Sequence, residues 1–357
     1  MRRALDLAAR GWGAVQPNPL VGAVVLDMDG AEVGAGWHER WGAAHAEVVA
    51  LRAAGDRARG GTLYVTLEPC RHHGRTPPCT TAVRESGVRR VVIAAPDPNR
   101  EAAGGADELR SAGIEVAQGV LEREARDQNA AFFTWHERGR PFVALKFALS
   151  LDGRLSARAG AHTRITGPEA DAEVQRLRAG FDAILVGAGT VRADDPLLTV
   201  RGEVRPRTPP VRIAVDTRLD VVPGRRLSDT VAAPTWALHG PAAPAERRRE
   251  LERAGVRLLE VPLVEAGLDM AGALDRLGEE GVRSVFCEGG GRLGASLLRA
   301  NRVDRHYLFV APVLLGGDGA RAYPDGTVPA APVRWRRVAA RSLGADTMIE
   351  LAPLEEA

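Results

Sequence analysis

Long apolar runs and a disulfide framework are both missing from this 357-residue chain. No apolar run approaches membrane-spanning length, and the first segment, MRRALDLAARGWG, has a helical apolar pattern rather than the continuous apolar stretch of a secretion signal. Three cysteines, an odd number, argue against a disulfide framework and leave metal binding or burial as their uses. We therefore expect a cytoplasmic protein with no membrane partner.

Net charge is also nearly absent. The formal charge is +2, and short arginine clusters such as ERRRE, which begins at Glu246, are flanked by acidic residues. A surface that binds nucleic acid normally carries a broad excess of positive charge. We therefore expect no nucleic-acid partner.

Lysine is almost absent, because Lys146 is the single lysine among 48 basic residues and all the others are arginine. It lies in PFVALKFAL, a stretch so apolar that a charged side chain without a function is not expected there. Burying an ammonium group is unfavourable unless it is paired, so Lys146 is expected to face a polar partner or an anionic ligand. The alternative is that this one lysine was retained by chance and has no function.

The rhythm of apolar and polar residues predicts two α/β domains, residues 1–139 and 140–357. In the first, LVGAVVLDMDGAEVGAGWH reads as a hairpin, and helices and strands then alternate as far as a helix over LEREARDQNAAFFTWHERG. That helix is expected to close at Gly139, with Pro141 beyond it. From Pro141 onward the alternation favours a largely parallel sheet covered by helices.

Four residues of the first domain have the pattern of a catalytic zinc site: His45, Glu47, Cys70 and Cys79. Each cysteine follows a proline, and we expect both at helix starts, where the helix dipole favours the thiolate. One imidazole and two thiolates leave the fourth tetrahedral position open for water, and Glu47 fits as the base beside it. The alternative for this set is a pair of structural cysteines and a surface histidine. We interpret the third cysteine, the isolated Cys287, as a core residue.

His-x-Glu followed by Pro-Cys-x-x-Cys is the signature of zinc nucleobase deaminases, which replace an exocyclic amine by oxygen. Here eight residues, RHHGRTPP, separate the cysteines where two are usual. His72 and His73 within that stretch have the spacing of extra ligands. We discount them, because a filled fourth position would exclude the water.

The longer spacer belongs to a wider resemblance. QPNPLVGAVV, HAEVVALRAAG and TLEPCRHHGRTPPCTTAV resemble the deaminase half of the bifunctional deaminase-reductases of riboflavin biosynthesis, and KFALSLDGRL, VGAGTVRADDPLLTVR and EGGGRLGASLL resemble the reductase half. The resemblance implies a cytidine-deaminase-like domain followed by a dihydrofolate-reductase-like domain. It also implies zinc-dependent deamination of 2,5-diamino-6-ribosylamino-4(3H)-pyrimidinone 5′-phosphate, followed by NADPH-dependent reduction of the ribosyl group to ribityl.

The same resemblance assigns site residues. It makes His45, Cys70 and Cys79 the zinc ligands, Glu47 the proton donor and Asn18 the residue that holds the ring, although a turn asparagine is the alternative for Asn18. The cofactor contacts that it implies are Ala148, Arg164, Thr190, Asp194, Gly290, Gly291, Arg292, Leu293, Gly294, Ala295 and Ser296. The substrate contacts that it implies are His162, Arg178, Leu198, Arg201 and Glu288.

The cofactor assignment has only weak support from the residues themselves. The second domain has no Gly-x-Gly-x-x-Gly after its first strand, but CEGGGRLGASLL places three glycines between a strand and a helix, where backbone amides can approach a pyrophosphate. Asp194 is our candidate for working with Lys146 at the sugar carbon that receives the hydride. Guanidinium forks at Arg178 and Arg201 suit a sugar phosphate, although an exposed helix arginine is the alternative for Arg178.

AGAHTRITG departs from the family pattern, because His162 stands where many relatives have serine and Arg164 where they have tryptophan. Arg164 could instead pair with a cofactor phosphate. Two other functions stay open from the sequence: a zinc deaminase of another free nucleoside or nucleotide, and a catalytically inactive regulatory relative. The sequence predicts a small-molecule partner and leaves a homo-oligomer open.

Overall fold

Gly139 marks the point where the contacts between residues divide this chain. Its φ of 63° is in the left-handed region that commonly ends a helix, and the two compact units on either side are Met1–Gly139 and Arg140–Ala357. The computed structural model describes residues 1–74, 77–265, 267–324 and 333–354. Among them, no helix combines the length and the apolar character that are needed to cross a membrane.

The first unit is a mixed sheet with helices packed against it. Its strands are β1 (Gly22–Leu26), β2 (Glu32–Trp37), β3 (Thr62–Leu67), β4 (Arg90–Ala95) and β5 (Glu115–Gln118). Its α-helices are α1 (Arg2–Ala8), α2 (Ala46–Ala54), α3 (Cys79–Ser86), α4 (Gly105–Ser111), α5 (Glu122–Gln128) and α6 (Ala130–Arg138). The order across the sheet is β2-β1-β3-β4-β5, with β1 antiparallel to β2 and β3, and β3, β4 and β5 parallel. The predicted hairpin is β1–β2.

Glycines in β2 bring α2 unusually close to the sheet. A Cβ on Gly34 would lie 2.2 Å from the carbonyl oxygen of Ala50, and one on Gly36 would lie 2.7 Å from Cβ of Val49. No side chain fits at either position, so the helix packs directly on the strand backbone. This contact fixes where the first turn of α2 lies.

The single helix expected over 121–139 is wrong, because it is two helices, α5 and α6, that meet at Asn129. The backbone there leaves the helical region at φ −108° and ψ 25°. The buried side chain accepts a hydrogen bond from the amide of Leu20 at 2.7 Å and donates one to the carbonyl of Leu20 at 2.9 Å. The asparagine side chain competes well with helical hydrogen bonding. Here it binds the main chain of Leu20, which lies just before β1 and far away in the sequence.

The second unit is built on a larger sheet. Its strands are β6 (Phe142–Leu149), β7 (Ala183–Gly187), β8 (Val211–Val215), β9 (Thr235–His239), β10 (Arg257–Glu260), β11 (Leu263–Val264), β12 (Gly267–Leu268), β13 (Ser284–Cys287), β14 (Arg305–Val310), β15 (Trp335–Leu343) and β16 (Asp346–Pro353). Its α-helices are α7 (Pro168–Arg178), α8 (Ala188–Asp194), α9 (Ala245–Arg253), α10 (Met270–Glu279) and α11 (Gly291–Arg299). The main sheet has the order β10-β9-β8-β7-β13-β6-β14-β16-β15, and β11 pairs only with β12.

The expectation of a largely parallel sheet is confirmed. In the order across the sheet, each pair of neighbours from β10 through β9, β8, β7, β13 and β6 to β14 is parallel, and β16 and β15 form an antiparallel hairpin at the edge. Consecutive residues of one strand, such as Ile184 and Leu185, point to opposite faces and belong to different buried clusters, so both faces of the sheet are covered. The carboxyl ends of β7, β13 and β6 lie side by side. Ligands of open parallel sheets bind at that edge.

We predict that Asn129→Ala lowers the free energy of unfolding of the first unit by about 2 kcal/mol, because the buried amide and carbonyl of Leu20 lose their partner. Peptide-resolved hydrogen–deuterium exchange should accelerate within residues 1–139 and stay unchanged within 140–357. Gln128→Ala, which removes one hydrogen bond to the carbonyl of Leu5, is the control with a smaller effect. Unaltered exchange in Asn129→Ala would contradict this role.

Candidate active sites

Three side chains of types that bind metals meet near the carboxyl end of β3 in the first unit. His45 is the residue that caps the amino end of α2, Cys79 is the first residue of α3, and Cys70 lies in the loop after β3. The expected helix start at Cys79 is confirmed. The one at Cys70 is wrong, because the chain stays irregular from Glu68 to Pro78 where the structure describes it.

The three ligand atoms lie within 4.8 Å of one another. His45 Nδ1 is 3.1 Å from Cys79 Sγ and 3.6 Å from Cys70 Sγ. A hydrogen bond from Cys79 and another from His45 hold the pKa of the Cys70 thiol down at about 4, against the effect of burial. One imidazole and two thiols at this spacing are a donor set that zinc prefers.

Glu47 lies in the first turn of α2 beside these ligands and is only 3% exposed. Its Oε2 atom has no hydrogen-bond partner among the described residues. Burial raises the pKa of Glu47, although the charge of His45 works against the rise. A buried carboxyl group with a free oxygen next to a zinc-type donor set is suited to hold and transfer a proton.

The discounted ligands, His72 and His73, stay outside this donor set. Among the described residues, the only group of three or more histidine, cysteine or acidic side chains that could hold a metal is His45, Cys70 and Cys79. His72 instead lines the cavity in front of the ligands. The donor set in the described part of the chain therefore consists of one imidazole and two thiols.

A cavity of about 320 Å³ opens in front of the three ligands. Asn18 lines it, as predicted, and lies within hydrogen-bond distance of His38, with 3.1 Å between Asn18 Nδ2 and His38 Nε2. His38 Nδ1 in turn is 3.1 Å from the carbonyl oxygen of Ala44. Because that carbonyl only accepts, Nδ1 carries the proton and Nε2 accepts from Asn18.

The sequence did not single out His38, Asp97 or Asn99, which also line the cavity. Asp97 follows the carboxyl end of β4, and burial raises its pKa to about 7. Glu68 shapes this wall by accepting hydrogen bonds from the amides of Asp97, Gly104 and Ala106. A polar residue directly after an apolar strand, as in APDPN, is the signal that could have identified Asp97.

In the second unit, Lys146 lies on β6 and is half-buried. Burial lowers its pKa, while the charge of Glu288 raises it, that of Arg178 lowers it and that of Asp194 raises it. Its Nζ atom also lies 5.6 Å from the centre of the Phe309 ring. The polar partner or anionic ligand that the sequence predicts for this lysine stays a prediction, and the acidic groups whose charge reaches it include Glu288 and Asp194.

Arg178 and Glu288 form a buried ion pair. Arg178 Nε and Nη2 donate to the two carboxylate oxygens of Glu288 at 2.6 and 3.0 Å, and Nη1 donates to the carbonyl of Thr199 at 3.1 Å. Burial opposes both charges, but their attraction holds the pKa of Glu288 down and that of Arg178 up. The guanidinium fork that suits a phosphate is therefore occupied by protein groups, and Arg178 is not an exposed helix arginine.

The two departures from the family pattern each have an acidic partner. His162 Nδ1 lies 3.0 Å from Asp194 Oδ1, at the end of α8. Arg164 Nη2 lies 2.7 Å from Asp171 Oδ2, in the first turn of α7. The loop that carries them thus contacts both helices that flank the carboxyl edge of the sheet.

The glycines after β13 differ in what they contact. A Cβ on Gly291 would lie 2.5 Å from the carbonyl oxygen of Arg321, and one on Gly294 would lie 2.6 Å from the ring of Phe147. At Gly290 the nearest atom to an added Cβ is Thr190 Oγ1, at 4.0 Å. Gly291 and Gly294 are therefore required by packing, whereas the space beside Gly290 is open to a ligand.

The remaining predicted residues lie on β6, on α11 and in the connection after α8. Ala148 follows Lys146 by two positions on β6 and so shares its face. Leu198 is buried with φ 51°, and the amide of Arg201 donates to Gln175 Oε1 at 2.8 Å. On α11, Ser296 Oγ donates to the carbonyl of Arg292, and the residues buried there include Leu293 and Ala295.

Models of two protein families match this chain. The model described as the RibD C-terminal domain matches residues 141–349. The model described as the cytidine and deoxycytidylate deaminase zinc-binding region matches residues 1–95.

Whole proteins match over almost the full length. The riboflavin biosynthesis protein RibD of Aquifex aeolicus is 44% identical over 88% of this chain and 87% of its own. That of Escherichia coli strain K12 is 43% identical over 89% of this chain and 88% of its own. The solved structure of Acinetobacter baumannii RibD aligns with a TM-score of 0.82 at 35% identity, covering 99% of this chain and 98% of that one.

A second solved structure, from Thermotoga maritima, aligns with a TM-score of 0.81 at 35% identity and covers 99% of this chain and 97% of that one. Its protein is named a diaminohydroxyphosphoribosylaminopyrimidine deaminase/5-amino-6-(5-phosphoribosylamino)uracil reductase. Together these similarities confirm the expected fold class, a deaminase-like domain followed by a reductase domain.

We predict about one zinc ion per chain, and a fall to less than about a tenth of that in Cys70→Ser and Cys79→Ser, since a hydroxyl is a far poorer zinc ligand than a thiolate. Elemental analysis of the purified proteins measures this directly. Cys287→Ala is the matched control, because this third cysteine is buried on β13 of the other unit. Full zinc content in either serine variant would contradict the ligand set.

Proposed function

This chain belongs to the RibD family of bifunctional deaminase-reductases of riboflavin biosynthesis, and we propose which of its residues carry each reaction. It is an enzyme with a zinc-binding deaminase domain and a reductase domain. We assign the deaminase to residues 1–139 and the reductase to 140–357. The single observation that carries the deaminase assignment is the buried group of His45, Cys70 and Cys79 with Glu47 beside it.

The proposed substrate is 2,5-diamino-6-ribosylamino-4(3H)-pyrimidinone 5′-phosphate. The name of the Thermotoga maritima relative supports this choice, and a cavity of about 320 Å³ in front of the ligands has room for a pyrimidine ring. Asn18 binds the ring through its side-chain amide. A cytoplasmic location and a homo-oligomeric state stay predictions.

In the deaminase site, His45, Cys70 and Cys79 would hold the zinc ion. Zinc bound there lowers the pKa of water and so supplies a nucleophile at neutral pH. Glu47 carries two protons in turn: its unpartnered Oε2 accepts one from the attacking water and delivers it to the ring nitrogen, then accepts the second from the hydroxyl formed on the ring carbon and delivers it to the departing amine. Burial raises the pKa of Glu47, which favours its protonated form and so assists its role as a proton carrier.

The reductase site would bind NADPH along the turn from Gly290 to Ser296. Backbone amides in the first turn of α11 have no partner within the helix, and the helix dipole favours an anion there. The open space beside Gly290 and the nearby hydroxyl of Thr190 support this placement. Ala148, Asp194 and, in this chain, Arg164 complete the proposed cofactor contacts, and bound NADPH supplies a hydride to the sugar carbon.

Lys146 and Asp194 act on the sugar in this proposal. The opening ribose needs a proton at its ring oxygen, and Lys146, with its lowered pKa, is the donor. Asp194, at the end of α8, stabilises the protonated amine of Lys146. Through its contact with His162, it also orients the loop that faces the substrate.

The substrate phosphate is assigned to Arg201 rather than to Arg178. The Arg178 fork is used on Glu288 and on the carbonyl of Thr199, so its role is to orient Glu288 toward the substrate. Arg201 lies near enough for its charge to lower the pKa of Glu288. A guanidinium that keeps its donors free suits a phosphate. Leu198 and His162 complete the proposed substrate contacts.

Incubation with the diaminopyrimidinone ribotide tests the function as a whole. We expect ammonia release without NADPH, and NADPH oxidation only after that release. Ammonia release from a free nucleoside, with none from the ribotide, would favour the alternative of another nucleoside deaminase. Neither product forming in zinc-loaded protein would favour an inactive regulatory relative.

We predict that Glu47→Gln keeps its zinc and loses at least about a thousandfold in deamination, because an amide can no longer accept the proton. The deaminated uracil ribotide should still be reduced with NADPH at the wild-type rate. Zinc content, ammonia release and NADPH oxidation are measured on one preparation. Loss of both activities in a zinc-loaded protein would contradict two separate sites.

We predict that Lys146→Arg lowers reductase turnover at least about tenfold, or roughly 1.4 kcal/mol of transition-state stabilisation. The planar guanidinium is larger than the ammonium and stays protonated, so it cannot give up a proton in this site. Deamination by the same protein is the internal control and should stay unchanged. Wild-type reductase kinetics would show that the lysine has no role.

A further inference from the structure

Arg212, the second residue of β8, is the largest of the fully buried side chains among the described residues. Its exposed fraction is 0%. Arginine stays protonated in proteins, so the fold keeps a cation at this position. Removing a cation from water is unfavourable unless polar groups replace its hydration. Packing alone therefore does not explain an arginine here.

The guanidinium of Arg212 is bound by oxygen atoms of neutral groups. In the described part of the chain, none of its hydrogen-bond acceptors is a carboxylate, and its Nε has no partner. Burial lowers the pKa of Arg212, and the charge of Asp229 works in the opposite direction. The acceptors are the carbonyls of Leu197, Arg226, Asp229 and Ala233 and the hydroxyl of Thr235, at 3.3, 3.3, 2.5, 2.8 and 2.6 Å.

These acceptors lie on three separate stretches of chain. Leu197 belongs to the connection that follows α8, residues 226–229 to a turn after β8, and residues 233–235 to the entry into β9. One guanidinium therefore joins all three stretches. The first two are joined a second time, because Asp195 Oδ1 accepts a hydrogen bond from the amide of Arg226 at 2.9 Å.

The residue after Leu197 is the one that this arrangement holds in place. Leu198 has φ 51°, in the left-handed region that leucine adopts only at a cost in free energy. The carbonyl of the preceding residue, Leu197, accepts a hydrogen bond from Arg212, and the carbonyl of the following residue, Thr199, accepts one from Arg178. Two buried arginines thus bind main-chain carbonyls of the residues on either side of Leu198.

We propose that Arg212 is a positioning residue for the substrate side of the reductase site, acting through the carbonyl of Leu197 on the backbone of Leu198. The inference rests on the proposed function, which assigns Leu198 to the pyrimidine ribotide. Arg212 is fully buried and its hydrogen bonds go to protein groups, so in this proposal it acts through the main chain and not by direct contact with a ligand. Its role is to keep the left-handed turn formed before the substrate arrives, so that binding does not have to order it.

The arrangement separates the two ligands of the reductase. The proposed cofactor turn follows β13 and is packed by other groups, the carbonyl of Arg321 against Gly291 and the ring of Phe147 against Gly294. None of these contacts involves Arg212. Loosening the stretch around Leu198 should therefore weaken substrate binding and leave cofactor binding and turnover largely intact.

The test is Arg212→Lys in the full-length enzyme. Lysine keeps the charge, but a single ammonium group cannot replace a fork that bridges three stretches. We expect the KM for the deaminated ribotide to rise at least about tenfold, with kcat and the KM for NADPH each within about threefold of wild type. Deamination by the same chain should stay unchanged. Arg212→Met, which removes every donor, should raise the same KM further if it folds.

Thr235→Val is the matched control, because it removes one acceptor of the same guanidinium and leaves the contact with Leu197 intact. Its KM for the ribotide should stay within about twofold of wild type. An unchanged KM in Arg212→Lys, or an equal rise in Thr235→Val, would overturn the proposal. If wild-type enzyme does not reduce the ribotide at all, the proposed function has failed instead.

Discussion

Both sites depend on charged groups that the fold removes from water near the carboxyl ends of parallel strands. In the first unit, Glu47 is buried beside two thiols and an imidazole, and its Oε2 atom has no hydrogen-bond partner among the described residues. In the second, Lys146 lies among the charges of Glu288, Arg178 and Asp194. Burial shifts the pKa of Glu47 upward and that of Lys146 downward, so each is brought closer to neutrality, where proton transfer is efficient.

Much of the two sites could be predicted from the sequence, because their chemistry needs a few residue types at short spacing. His45, Glu47, Cys70 and Cys79 were identified as one site, and the structure brings their side chains together although they come from three stretches of chain. Lys146 stood out because it is the single lysine in an arginine-rich chain, and its charged surroundings follow from the cost of burying an ammonium group. The parallel sheet of the second unit followed from alternating apolar strands and helices.

What could not be predicted depends on partners far away in the sequence. Asn129 divides a helix because it binds Leu20, and no local pattern contains that contact. Gly291 and Gly294 looked like a cofactor turn, yet their missing side chains are explained by Arg321 and Phe147. Arg212 looked like one more arginine in an ordinary strand, because its acceptors are main-chain carbonyls, which carry no signature in the sequence. The sequence indicated that Arg178 binds the substrate phosphate, but its guanidinium group is hydrogen-bonded to the carboxylate of Glu288.

The central claim is that two chemically independent sites lie in one chain, only one of which needs a metal. Zinc removal from the wild-type protein with a chelator tests it most directly. We predict that ammonia release from the diaminopyrimidinone ribotide stops and returns when zinc is added back, while the deaminated ribotide is reduced with NADPH at an unchanged rate throughout. Undiminished deamination by zinc-free protein, or loss of reduction together with deamination, would contradict it.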